Sequence, residues 1–130
     1  MLWQRGSLTP DQVRLVMPSL PCDVSYADEH DVLRFWSGEG YKACDARFIG
    51  RDVRDCHPEG SLDVLETILR AFKDGTRDTA ESWGHEKGRF EYVRYTAVRD
   101  PDGAYKGIVE VIMDLSAFRA LQGTQEMPGW

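Results

Sequence analysis

The feature that most constrains this chain is one strongly amphipathic stretch near its middle. Apolar residues recur there at i, i+3, i+6, i+7 and i+10, the spacing of a single helix face; they are Leu62, Leu65, Ile68, Leu69 and Phe72. Ser61 is a fitting N-cap residue and Gly75 a fitting C-terminal stop. A helix with one apolar stripe is stable only against another apolar surface, so the rest of the chain must supply that surface.

Strand patterns lie on both sides of this helix. Two short alternating runs precede it and predict a hairpin, and three longer runs follow it with turn residues between them. The predicted strands are 23–28, 32–36, 79–86, 90–98 and 105–115. The order predicts an α+β fold in which helices cover one face of an antiparallel five-stranded sheet.

Both ends of the chain carry weaker helix patterns. Thr9 is a good N-cap and Pro10 fits the first helical position, so a helix is predicted over about 9–17. The surface that this helix packs against is either its own domain or a second copy of the chain. Ser116 is placed to cap a last short helix, and the residues after it, 122–130, have no apolar period and predict a frayed tail.

Composition narrows the class of protein. A chain of 130 residues is most simply one domain, here with a core over about 20–116. The net charge of -6 argues against nucleic acid as a partner, since phosphate binding requires clustered Lys and Arg. No apolar run is long enough for a membrane span, and the first residues lack the apolar segment of a signal peptide. These observations predict a cytoplasmic protein.

The residues with the most chemical potential lie in the stretch 48–61, just before the long helix. Cys56 and His57 are adjacent there and Pro58 follows them. The other cysteines, Cys22 and Cys44, are far away in sequence and form no C-x-x-C motif, so we expect both to be reduced thiols packed as small hydrophobic residues.

Two sequence motifs resemble those of the PAS domain family. Val98-Arg99-Asp100-Pro101-Asp102-Gly103-Ala104-Tyr105-Lys106-Gly107, followed by Val111-Ile112-Met113-Asp114-Leu115-Ser116, is similar to the last hairpin and the D-[IL]-[ST] ending of PAS domains. Ile49-Gly50-Arg51-Asp52-Val53-Arg54-Asp55-Cys56-His57-Pro58 resembles one PAS subfamily, often found C-terminal to hemerythrin-like domains. The resemblance covers about 8–121 and implies a single PAS domain.

The resemblance implies a sensory or regulatory function. PAS domains bind a small ligand or cofactor in the core, or none, and signal through dimer or partner contacts. The ligand is unknown from the sequence; haem is one candidate, and His57 would then be its metal ligand. The residues that the resemblance and the strand pattern place around the pocket are His57, Cys56, Trp36, Trp83 and Tyr95. The predicted partners are a small molecule, a second copy of the chain and a separate signalling protein, with no nucleic acid and no membrane.

Several alternatives stay open. The favoured alternative is a structural role at the helix entry, in which His57 caps the following turn and Cys56 packs inward, with Pro58 fixing the entry. Two adjacent helical residues also point about 100° apart and do not address one metal. Cys44 lies two residues too early for the flavin-adduct motif, and Arg94 is expected to face solvent while Tyr95 faces inward. No orienting acid is evident for a Cys-His catalytic dyad, so we do not expect an enzyme. The alternative to a ligand sensor is a ligand-free interaction or dimerisation module.

Overall fold

The sheet forms as predicted. The computed structural model describes residues 6–38 and 46–130, and these contain one antiparallel five-stranded sheet. Its strands are β1 (Asp23–Asp28), β2 (Leu33–Trp36), β3 (Thr79–Glu86), β4 (Arg89–Arg99) and β5 (Tyr105–Asp114). Their order is β2-β1-β5-β4-β3, so the first hairpin joins the last three strands through the pairing of β1 with β5. The α+β prediction is confirmed.

The register of the three central strands assigns their side chains to two faces. Ser25 of β1 pairs with Glu110 of β5, and Glu110 pairs with Tyr95 of β4, so these three residues share one face. We call it the inner face, because the long helix covers it. Arg94 alternates with Tyr95 and is exposed on the opposite, outer face, as the sequence predicted.

The long helix, α2 (Glu59–Lys73), begins three residues earlier than expected. Its N-cap is Pro58, and Ser61 lies inside the first turn, where its hydroxyl donates to the Pro58 carbonyl at 2.9 Å. The assignment of Ser61 as N-cap is therefore wrong: the fixed φ of Pro58 sets the helix entry instead. Gly75 has a positive φ of 76° and donates its amide to the Phe72 carbonyl at 3.2 Å, so the predicted stop is confirmed.

The core lies between α2 and the inner face. Leu65, Leu69 and Phe72 of α2 are 4%, 1% and 0% exposed, so the predicted apolar stripe is the buried one. They pack in one cluster with side chains of the strands, among them Ala27, Leu33 and Ile108. Each large side chain buried in this way contributes about 1.5–3 kcal/mol to folding.

The terminal helices differ in outcome. The N-terminal helix, α1 (Pro10–Val16), forms with a complete capping box: the Thr9 hydroxyl accepts from the Gln12 amide and the Gln12 side chain accepts from the Thr9 amide. The C-terminal helix is shortened to a 3₁₀ turn at Phe118–Ala120. The Ser116 hydroxyl accepts from the Phe90 amide of β4 at 2.9 Å, so it ties the chain to the sheet and does not cap a helix.

Two 3₁₀ turns occupy the described part of the connector between β2 and α2, at Ala46–Phe48 and Val53–Cys56, where short helical turns were expected. Another 3₁₀ turn, Met17–Ser19, follows α1. Within the part of the chain that the structure describes, no helix has the length and apolar character needed to cross a bilayer.

Candidate functional site

A small cavity lies between the inner face and the connector. Its volume is about 30 Å³. Apolar side chains form most of its wall, among them Leu33, Leu65 and Ile108. Four polar residues complete it: Ser25, His57, Tyr95 and Glu110. The cavity is therefore a small, mostly apolar space in the core that has these four polar residues at its border.

Three of the polar residues come from neighbouring strands. Because Ser25, Glu110 and Tyr95 stand side by side in the register, alternation brings them to one level of the inner face. The Ser25 Oγ lies 3.5 Å from a carboxylate oxygen of Glu110. Burial raises the pKa of the Tyr95 hydroxyl, and the negative charge of Glu110, to which the hydroxyl donates, raises it further. Tyr95 is therefore a neutral hydroxyl at physiological pH.

His57 forms the wall opposite the sheet. It follows the 3₁₀ turn Val53–Cys56 in extended backbone, with φ of -91° and ψ of 134°. Its Nδ1 is 2.7 Å from the Val53 carbonyl oxygen, and since a carbonyl can only accept, Nδ1 carries the proton and donates. This bond fixes the ring orientation relative to the cavity.

Cys56 has a different environment from its neighbour. It is 6% exposed, and its sulfur is 3.2 Å from the Val53 carbonyl oxygen. The sulfur belongs to a disulfide bond, so it does not offer a thiolate to a metal. The inward packing of Cys56 agrees with the structural alternative. Cys22 is a free cysteine, half-buried, as expected, and the prediction for Cys44 falls outside the described residues.

The two tryptophans of the predicted set do not reach this cavity. Trp36 pairs with Ser25 in the register and its indole Nε1 is buried, without a hydrogen-bond partner among the described residues, but its side chain is not part of the cavity wall. Trp83 lies on edge strand β3 and is 65% exposed. The structure therefore brings together His57 and Tyr95 of the five predicted residues.

Sequence reasoning missed the residue that holds the connector in place, Arg54. Its guanidinium donates to Asp31 at 3.0 Å, to Asp52 at 3.1 Å and, through Nε, to Glu66 of α2. Asp31 has a side chain only 8% exposed and also accepts from Lys73 at 2.7 Å. The hydrogen bond that Arg54 donates to Glu66, followed by those it donates to Asp31 and Asp52, raises the pKa of Arg54 further above its ordinary value. Arg54 thus ties the connector to the β1–β2 turn and to α2.

Neither a metal nor haem fits the described site. Among residues 6–38 and 46–130, no three His, Cys, Asp or Glu side chains cluster closely enough to hold a metal ion. Ligand pockets for molecules of drug size have volumes of about 300–1,000 Å³, roughly ten times this cavity or more. Haem therefore has no room beside His57 in this conformation.

Comparisons with known proteins agree on one fold. A family model described as a PAS domain matches residues 13–116. The structure of a C-terminal domain from Streptococcus mutans is 27% identical, with a TM-score of 0.83 over 94% of this chain and 96% of that one. The PAS domain of Bordetella pertussis BvgS is 16% identical, with a TM-score of 0.61 over 80% of this chain and 84% of that one.

A third solved structure extends the same likeness. A sensory box sensor histidine kinase from Vibrio cholerae is 12% identical, with a TM-score of 0.56 over 80% of this chain and 89% of that one. At such identities the likeness to the Bordetella and Vibrio proteins shows the fold alone. No curated protein matches this chain.

Proposed function

The chain belongs to the PAS domain family, and we propose that it is a sensory or regulatory module that signals through protein contacts, most simply with a second copy of itself. The observation that carries this proposal is α1. A seven-residue helix is too short to be stable alone in water, and most helix stability in proteins comes from packing of an apolar face. Yet none of the side chains of α1 is buried.

The apolar residues of the N-terminal segment are strongly exposed. Leu15 is 74% exposed, and Leu8, Val16 and Leu20 are 56%, 40% and 42% exposed. Single exposed apolar residues are common, but several on one short segment indicate a contact surface. We infer that this surface, defined as Leu8, Leu15, Val16 and Leu20, is covered by a partner.

The outer face of the sheet adds apolar surface that the same partner could cover. The side chains of Val109, Val111 and Met113 lie on this face, and none of them is fully buried. A standard interface buries about 800 Å² on each partner, which is more than the N-terminal segment alone supplies, so we infer that the outer face is part of the contact.

The test is the oligomeric state in solution, measured by light scattering after size-exclusion chromatography. We expect the native chain to have twice the monomer mass and Leu15→Glu to be monomeric. Leu121→Glu is the matched control, because Leu121 is 71% exposed outside this segment, and it should remain dimeric. A native chain that is monomeric across the concentration range, or a Leu15→Glu variant that still dimerises, would contradict the second copy as partner.

A second candidate function is a small-ligand sensor, favoured by the four polar side chains around the core cavity. Native mass spectrometry of the purified protein tests it by detecting a retained molecule. An absorption spectrum with added haem tests the haem version; because the cavity is too small for a porphyrin, we expect no Soret shift. A shift lost in His57→Ala and kept in His85→Ala would show that haem binds after all.

The finer assignments rest on the resemblance. We propose that the chain belongs to the subfamily with the Gly-Arg-x-Val-x-x-Cys-His-Pro stretch and acts without catalysis on behalf of a separate signalling protein. A cytoplasmic location is also a proposal, and the disulfide at Cys56 is a feature less common in reducing compartments.

A further inference from the structure

We propose that an open pocket beside the C-terminal turn binds a small organic molecule through a single carboxylate group. The pocket lies outside the core, where the turn Phe118–Ala120 meets the outer face at the end of the β3–β4 hairpin. Its volume is about 400 Å³, within the range of about 300–1,000 Å³ that is typical of small-molecule sites. The residues that line it are His85, Gly88, Phe90, Ser116, Arg119 and Ala120.

Phe90 holds two basic side chains at the wall of this pocket. The guanidinium carbon of Arg119 lies over the Phe90 ring, 4.2 Å from its centroid, in a cation–π contact. The His85 ring meets the Phe90 ring edge-on, with 5.3 Å between the centroids and 72° between the planes. A guanidinium that rests on an aromatic face keeps the N–H donors along its edge available for a ligand.

Backbone contacts fix this arrangement. The Phe90 amide donates to the Ser116 hydroxyl at 2.9 Å, and the Phe90 carbonyl accepts from the Leu115 amide at 2.7 Å. The Arg119 amide in turn donates to the Leu115 carbonyl at 3.1 Å. The turn that carries Arg119 is therefore tied to the strand that carries Phe90. A site that is ordered before binding loses less conformational freedom when the ligand arrives.

Arg119 and His85 have hydrogen-bonding capacity that the chain does not use. Within residues 6–38 and 46–130, neither the Arg119 guanidinium nor the His85 ring forms a hydrogen bond or an ion pair, and no Asp or Glu lines the pocket. Other arginines differ: Arg34, Arg54 and Arg99 each pair with a carboxylate of the chain. Two donors in a concave site without an internal acceptor favour a ligand that supplies the acceptor.

Charge and shape select a monocarboxylate. The chain has a net charge of -6, so repulsion grows with the charge of an anionic ligand and disfavours polyanions. The planar fork of Arg119 matches a planar carboxylate through two parallel hydrogen bonds. The Phe90 ring and the Ala120 methyl group supply apolar surface for the rest of the molecule. The ligand class is therefore a small organic acid with one carboxylate.

The test is an NMR titration of the native chain with benzoate, benzamide and inorganic phosphate. We expect benzoate to shift the amide signals of Gly88, Phe90 and Arg119 and to reach saturation. Benzamide has the same shape without the charge, so it should bind about 10–100-fold more weakly, the difference that a charge-assisted hydrogen bond makes. Phosphate should also bind more weakly than benzoate, because it carries more negative charge.

Three variants separate the contact from the charge. Arg119→Met removes the donors and should weaken benzoate binding by about 10–100-fold. Arg119→Lys keeps the charge without the planar fork, so its affinity should be intermediate. Arg70→Met is the matched control, because it removes the same charge from an exposed position on α2, which covers the inner face, and its affinity should be that of the native chain.

The proposal is overturned by a benzoate titration that does not saturate, by equal affinities for benzoate and benzamide, or by equal affinities of Arg119→Met and Arg70→Met. Tighter binding of phosphate than of benzoate would overturn the choice of a monocarboxylate. Arg119 is exposed, so its variants should fold, and their amide spectra check this. If one does not fold, the comparison of benzoate with benzamide on the native chain decides. The dimer proposal is tested by mass in solution, so its failure is distinguishable from the failure of this one.

Discussion

The strongest test of the structure is removal of the Arg54 guanidinium. Arg54→Met keeps most of the aliphatic stem and deletes the donors that reach Asp31, Asp52 and Glu66. Breaking a fully buried ion pair costs about 3–5 kcal/mol, and breaking an exposed one costs about 0–1 kcal/mol. The Asp31 side chain is 8% exposed but keeps Lys73 as a second partner, while Asp52 and Glu66 are each 42% exposed.

The loss from Arg54→Met is therefore intermediate, about 2–3 kcal/mol, most of it from Asp31. For a domain of this length, that corresponds to a fall in Tm of about 8–12 °C. Urea unfolding followed by circular dichroism measures the loss of free energy, and a thermal scan measures the fall in Tm. Arg51→Met is the control in the same connector: its partner Asp55 is 45% exposed, so its loss should stay below about 1 kcal/mol. Equal stabilities for the native chain and Arg54→Met would refute the assignment of Arg54 as the residue that holds the connector.

Two further predictions concern a backbone contact and an acid. Gly107 has a φ of 137°, and a Cβ there would lie 2.2 Å from the Ala27 carbonyl oxygen. In a urea titration, Gly107→Ala should therefore lose well over about 3 kcal/mol of its free energy of unfolding, or not fold at all. Gly84→Ala is the control, because its Cβ meets nothing within 4 Å, and its free energy of unfolding should stay within about 1 kcal/mol of that of the native chain. The hydrogen bond from Arg54 lowers the pKa of Glu66, so the stability that this bond gives is present above the unfolded pKa of about 4.3 and is lost as pH falls through the folded pKa. When urea midpoints are measured from pH 7 to pH 3, they should fall less steeply for Glu66→Gln than for the native chain. Parallel pH curves for the two proteins would contradict this.

The sheet and the long helix follow from local patterns. The strand predicted at 79–86 has the bounds of β3, because the turn at Lys87-Gly88 marks its end in the sequence. The predicted start of α2 was wrong for an equally local reason. Ser61 and Pro58 are both residue types typical of a helix N-terminus, and the sequence does not show at which of them the helix begins.

The site was harder to predict, because it depends on pairing between distant strands. Ser25 and Glu110 are 85 residues apart, and only the register of β1 against β5 brings them together. One signal was present in the sequence: Glu110 interrupts the apolar alternation of Ile108 and Ile112, and a charged residue at a position that faces the core is unusual. Arg54 carried no such signal, since a basic residue among Asp52 and Asp55 resembles an ordinary solvent-exposed turn.

We predict that the connector sets both the stability of the fold and access to the cavity. Val53 and His57 line the cavity, and Arg54 between them is tied to α2, so we expect a ligand larger than water to enter only after the Arg54 contacts break. If that opening costs about 2–3 kcal/mol, the apparent affinity for such a ligand is lowered by a factor of about 30–150. Arg54→Met should therefore be less stable and yet bind a small hydrophobic dye more tightly by up to that factor, whereas Arg51→Met should change neither quantity appreciably. A variant that loses stability without any gain in binding would show that Arg54 stabilises the fold but does not control entry to the core.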